Sequence, residues 1–204
     1  RAKCRNDFLE AIRYLFQNAS LLVVIMIAAV LNLALVGLTI GAPVIVAKHL
    51  GMQSSFVGII EVAMGLGGLV GSGLVGIWPH RFSFKGICRY VAMICLGVVP
   101  IIVTLLSGPD ELAFAALAAG SAWVMAWASV TSVEVVSFVQ RSAPKELCGK
   151  VLALVYMALS CATPIGQLVY GLAYDRWTPA IVFAGMLAVL TLMTALFYRL
   201  KSRS

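Results

Sequence analysis

The chain has 204 residues, 62% of them hydrophobic and 11% charged, with a mean hydropathy of +1.02 and a formal net charge of +7. A soluble core of this size cannot hide so much apolar surface, so lipid must act as its solvent. The excess of cations marks membrane topology and touches anionic headgroups, which leaves nucleic-acid binding without support.

Residues 1–18 carry Arg1, Lys3, Arg5 and Arg13 and contain no apolar h-region, so they are not a signal peptide. Phe8, Ile12, Leu15 and Phe16 share one helical face, and Asp7 followed by Glu10 resembles a capping box. We read 1–18 as a cytoplasmic amphipathic linker helix lying on the leaflet, and 19–204 as a transmembrane domain. Six apolar runs follow, at 20–42, 55–78, 87–107, 112–138, 150–174 and 179–199. Each is long enough to cross a bilayer, and the short links make neighbouring spans antiparallel.

The cations collect at alternate junctions. The second link carries Arg81, Lys85 and Arg89, the fourth Arg141, Lys145 and Lys150, and the tail Arg199, Lys201 and Arg203, whereas the odd links offer Lys48 and Arg176. The positive-inside rule then puts both termini in the cytoplasm. Cys4, Cys88 and Cys148 fall at cytoplasmic ends, and Cys95 and Cys161 lie within spans, so free thiols are expected. The histidines His49 and His80 lie at opposite faces and no Cys/His spacing suits zinc, so neither a metal site nor a cofactor is expected.

Four spans carry polar residues at helical spacing. Span five presents Tyr156, Ser160, Thr163, Gln167, Tyr170 and Tyr174; span four presents Trp123, Trp127, Thr131, Glu134 and Phe138. Span two aligns Glu61, Gly65, Gly68 and Ser72, and span one adds Ala28, Asn32 and Thr39, while spans three and six show almost nothing comparable. Lipid gives such stripes no partner, so four spans are expected to line a polar interior and two to face lipid. For any single hydroxyl or amide the competing use is to join helices, and Asn32 fits either an interhelical bond or a ligand contact.

Glu61 is an intramembrane carboxylate near the outer edge of span two. It can exchange a proton, pair with a cationic substrate, or simply be wetted from the outer mouth. Glu134 sits near the cytoplasmic end of span four, within reach of water or Arg141, which favours a structural use. Gly65, Gly67, Gly68, Gly71, Gly73 and Gly76 concentrate in span two and include a Gly67/Gly71 pair for close helix approach. Gly41 and Pro43 in span one, and Pro164 and Gly166 in span five, are expected bends.

These elements resemble the C-terminal six-helix half of a major facilitator superfamily transporter, within the drug-exporter group that includes macrolide efflux proteins. The residues that carry the resemblance are the lead-in Phe8-Leu9-Glu10-Ala11-Ile12-Arg13-Tyr14-Leu15, the link Ala143-Pro144-Lys145-Glu146-Leu147-Cys148-Gly149-Lys150, and Pro164-Ile165-Gly166 with Gly171 before Tyr174-Asp175. The family's Gly-x-x-x-Asp-Arg-x-Gly-Arg-Lys motif is degenerate here. Gly76, Arg81 and Lys85 fit, but His80 replaces the acid, Ser83 the glycine and Phe84 an arginine.

The resemblance implies an all-α membrane protein: six transmembrane helices forming a facilitator-type half bundle with a 3+3 inverted repeat. It further implies residence in the plasma (inner) membrane, a missing N-terminal half upstream of Arg1, and export of small amphipathic compounds by alternating access, driven by proton antiport. On that reading Glu61 makes a charge or proton contact, Trp123 and Trp127 offer aromatic faces, and Tyr156, Gln167 and Asn32 supply hydrogen bonds to substrate. A half-size homodimeric transporter and a non-transporting scaffold are the alternatives. An intramembrane enzyme fits poorly, because Ser72 lacks a Gly-x-Ser-Gly context and no base lies near a nucleophile.

Overall fold

The computed structural model describes residues 12–78 and 86–201. A short helical segment at 12–17 precedes six long helices: α1 (Ala19–Val44), α2 (Ser54–Ile77), α3 (Ile87–Ser107), α4 (Asp110–Ser142), α5 (Lys145–Arg176) and α6 (Pro179–Lys201). All six are long and apolar enough to span a membrane, and no strand occurs among the described residues. Helices are the expected solution, since only they and closed barrels satisfy every backbone polar group in hydrocarbon.

The expected spans match to within a few residues except at α4 and α5, which have 33 and 32 residues. Both continue past the expected ends into polar sequence. At 1.5 Å per residue each is about 50 Å long, well beyond a hydrocarbon core of about 30 Å. Asp110 and Glu111 sit in the first turn of α4 and Arg141 in its last, each charge complementing the helix dipole there. Pro109 and Pro144 precede α4 and α5, and Pro179 opens α6, where its missing N–H costs nothing.

The bends expected around Gly41/Pro43 and Pro164/Gly166 take different forms. Beyond Pro43 the chain passes into a π-helical turn, Ile45–His49, which ends on Gly51 at φ 58°, a left-handed conformation suited to glycine. Pro164 instead lies inside an uninterrupted α5.

Helix pairing follows an exchange rule. α2 packs most extensively on α4, and α1 on α5; α3 lies against α4, α6 against α1, and α3 meets α6. Swapping α1–α3 with α4–α6 maps this pattern onto itself, and three antiparallel helices per unit invert the second relative to the first. This is the 3+3 inverted repeat of a facilitator-type half bundle. Every extensive contact joins one repeat to the other; contacts inside a repeat are sparse. The apolar core sits among α1, α3, α4 and α6, with Leu31, Leu38, Ile94, Val98, Leu117 and Phe183 buried in it.

The α2–α4 crossing is a backbone contact. Ile60, Met64, Gly67, Gly71 and Val75 form the buried face of α2. A Cβ on Gly67 would overlap the carbonyl of Ala122, and one on Gly71 that of Ala126. The α1–α5 crossing places rings on glycines instead. Tyr170 covers Gly37, Tyr174 covers Gly41, and the Tyr174 hydroxyl donates to the Gly37 carbonyl at 3.0 Å.

At the face where the helix bundle begins, Tyr14 and Leu15 pack on a small cluster formed by Leu21, Ile25, Val139 and Val151. The Tyr14 hydroxyl donates to the Ser142 carbonyl at 3.0 Å. Phe16, expected on the same face as Leu15, is instead exposed. Phe8 and the Asp7/Glu10 capping box lie outside the described residues, as does the link segment His80–Lys85.

Gly71→Ala is expected to lower stability by about 1–3 kcal/mol through overpacking at the α2–α4 crossing. Gly73→Ala, whose Cβ would meet open space, should leave stability unchanged or raise it. Thermal unfolding of the purified variants in detergent compares the two, and equal losses would show that the crossing does not set the steric limit. Ser121 is fully buried on α4 with its Oγ unpartnered among the described residues, so Ser121→Ala should be neutral or stabilising in the same assay.

Candidate functional site

On the side of the bundle away from α3 and α6, helices α1, α4 and α5 enclose a cleft of about 100 Å³. α1 contributes Ala28, Asn32 and Leu35, α4 contributes Ala128, Thr131, Ser132 and Val136, and α5 contributes Val155, Tyr156 and Leu159. None of the lining side chains is charged. Asn32 lies on the cleft face of α1, where its Oδ1 accepts a bond from the Thr163 hydroxyl at 3.3 Å; that hydroxyl also contacts the Leu159 carbonyl at 3.2 Å. Of the two uses foreseen for Asn32, the interhelical bond is made through its oxygen, and the residue also lines the cleft. Thr131 is buried and spends its hydroxyl proton on the Trp127 carbonyl at 2.8 Å. Ser132 and Tyr156 are exposed to the opening.

The other residues singled out from the sequence lie elsewhere. Trp123 and Trp127 occupy the side of α4 that meets α3: the Trp123 indole N–H donates to the Met93 carbonyl at 2.8 Å, and Trp127 stacks on Tyr90 at 5.9 Å. Glu61 is on the exposed face of α2 with Gly65 and Ser72, turned away from the buried Met64/Gly67/Gly71 face. Gln167 is exposed on α5, about one turn beyond Thr163. Glu134 is 5% exposed, inside α4, in the field of Arg141.

Thus the α5 stripe divides along its length. Tyr156, Ser160 and Gln167 stay exposed, whereas Tyr170 and Tyr174 turn onto α1. Ser132 was not foreseen. It shares a face with Ala128 and Val136 at four-residue spacing, and a single serine among small apolar residues makes no stripe.

A family model for transmembrane secretion effectors, a group of the major facilitator type, matches residues 2–204. The chain belongs to that family. No curated protein matches it. Membership and the six apolar helices together make this an integral membrane protein and a facilitator-type transporter rather than an enzyme. For a transporter of this family the α1/α4/α5 cleft is the candidate site, since it joins neutral hydrogen-bonding groups from both repeats.

Two measurements probe this arrangement. Tyr174→Phe removes the bond to Gly37 and should cost about 0.5–1.5 kcal/mol in unfolding experiments. In a background whose five native cysteines are replaced by serine, Ser132→Cys and Tyr156→Cys should react with a membrane-impermeant maleimide much faster than Leu192→Cys on the outer face of α6. Equal rates at the three positions would mean that the cleft is no more open to water than that face.

Proposed function

We propose that this six-helix unit is the C-terminal half of an exporter of the drug and macrolide efflux kind. It acts in the plasma (inner) membrane with both termini cytoplasmic, and moves small amphipathic compounds by alternating access coupled to proton antiport. The observation that carries the reading is the character of the cleft: apolar walls, no charge, and the neutral polar groups of Asn32, Ser132 and Tyr156 within them. Such a lining suits a substrate that is mostly apolar with a few hydrogen-bonding groups. It offers no counter-charge to an ionic one.

The orientation rests on Arg13, Arg89, Arg141, Lys145 and Lys150, all at the membrane face where α1 begins. The need for a second half rests on α2 and α5, whose outward faces expose polar groups that lipid would leave unmatched: Glu61 on one, Ser160 and Gln167 on the other. Glu61 on that face of α2 is assigned the proton, because it is an intramembrane carboxylate not committed to the α2–α4 crossing. Gln167, exposed on α5 about one turn beyond Thr163, is assigned a hydrogen bond to substrate. Trp123 and Trp127 act through packing, fixing α3 on α4.

Transport by the complete protein in everted membrane vesicles tests these assignments. Tyr156→Phe removes one hydrogen bond worth about 0.5–1.5 kcal/mol, so apparent affinity should weaken about 2–10-fold. Glu61→Gln should abolish the protonophore-sensitive part of export. Unchanged transport with unchanged pH dependence would remove Glu61 from the mechanism, and wild-type affinity in both Tyr156→Phe and Asn32→Ala would remove the cleft.

A further inference from the structure

The two repeats differ at one place where their symmetry makes comparison direct. Between α2, α3 and α4 the crevice is filled by three aromatic rings: Trp127 stacks on Tyr90, and Trp123 lies 6.1 Å from Trp127. The exchange of repeats carries this place onto the crevice between α1, α5 and α6. There the corresponding stretches carry Val30, Leu33 and Ala34 on α1 and Gly185 and Val189 on α6, and a groove of about 370 Å³ stays open. A Cβ on Gly185 would meet nothing within 4 Å.

The groove has a direction and a length. It begins at Trp177, in the link between α5 and α6, and follows α5 back to Val169 and α6 down to Val189. Eight residues of helix at 1.5 Å each make about 12 Å, close to the depth of one leaflet in a hydrocarbon core of about 30 Å. Its walls are apolar apart from the Tyr170 ring and the indole of Trp177, a residue type that anchors at the lipid interface. At that end the exposed Arg176 adjoins Trp177, while the nearby Asp175 is paired with Lys48 at 3.4 Å. A cation thus stands at headgroup level above an apolar slot one leaflet deep. An unfilled slot would forfeit dispersion contacts along its whole lining.

We propose that the α1/α5/α6 groove is a binding site for one acyl chain of a phospholipid from the leaflet opposite the chain termini, with Arg176 taking the phosphate. A second transmembrane helix is a poorer occupant, because a helix is about 10 Å across with its side chains and about 370 Å³ spread along this length is too slender to admit one.

The test uses the complete protein in lipid nanodiscs containing a trace of phosphatidylglycerol with a photoactivatable diazirine on its acyl chain. Labelled peptides are mapped by mass spectrometry. Crosslinks are expected to concentrate on the 169–189 segment, to saturate at one lipid per chain, and to be competed by unlabelled phosphatidylglycerol. Gly185→Trp and Val189→Trp, which fill the slot from an exposed or open position, should each reduce labelling there to that of the α3 face around Leu96 and Val103. Arg176→Ala should raise the concentration of phosphatidylglycerol needed for competition. Even labelling of every lipid-facing segment, unaffected by either tryptophan in a variant that elutes as the folded species, would overturn the proposal in favour of annular lipid only. Absent labelling together with disulfide-linked dimers of Gly185→Cys would overturn it in favour of a second copy.

Discussion

Close approach of backbones at glycine is the constraint on which the bundle depends. Lipid tails are as apolar as leucine, so burying one apolar helix against another gains little unless the surfaces fit. Two crossings supply that fit. On α2, Gly67 and Gly71 lie against the carbonyls of Ala122 and Ala126, leaving no room for a methyl group. On α1, Gly37 and Gly41 receive the rings of Tyr170 and Tyr174, and one hydroxyl finds a carbonyl. These pairs set where α1 and α4 stand, and so create the cleft between α1, α4 and α5.

The repeats share a plan and divide the work. In one, aromatic rings fill the crevice beside α3, and Gly97 lets the Trp123 indole lie down on that helix. In the other, Gly185 and aliphatic side chains stand where those rings would be, and the matching crevice beside α6 stays open. The polar cleft draws on both: Asn32 comes from the first repeat, and Ser132 and Tyr156 from the second. The lining carries no charge, whereas the carboxylate of Glu61 lies apart from it on the exposed face of α2.

The spans were legible because hydrocarbon demands long apolar runs, and the antiparallel order followed from the short links. The ends of α4 and α5 were not, since a helix can continue into water beyond the apolar run once Asp110, Glu111, Lys145 and Arg176 suit its termini. Spacing exposed the Gly67/Gly71 pair but not its partners, because Ala122 and Ala126 take part through carbonyls that every residue has. Asn32 and Tyr156 stood out as polar groups in apolar helices, and they meet at the cleft. Periodicity placed Trp123 on the same stripe as Thr131 but gave no direction to that stripe. Only the position of α3 shows that the indole points away from the opening.

The interleaving of the repeats bears on how such a protein is made. Because the extensive contacts all run between α1–α3 and α4–α6, the first three helices leave the ribosome with their glycine faces unmatched and little to hold them to one another. α2 must wait for α4, and α1 for α5. Within this unit α1–α3 therefore enter the bilayer before the helices that complete their crossings, and a synthesis product stalled between the repeats would present those bare faces to whatever chaperone or protease patrols the membrane.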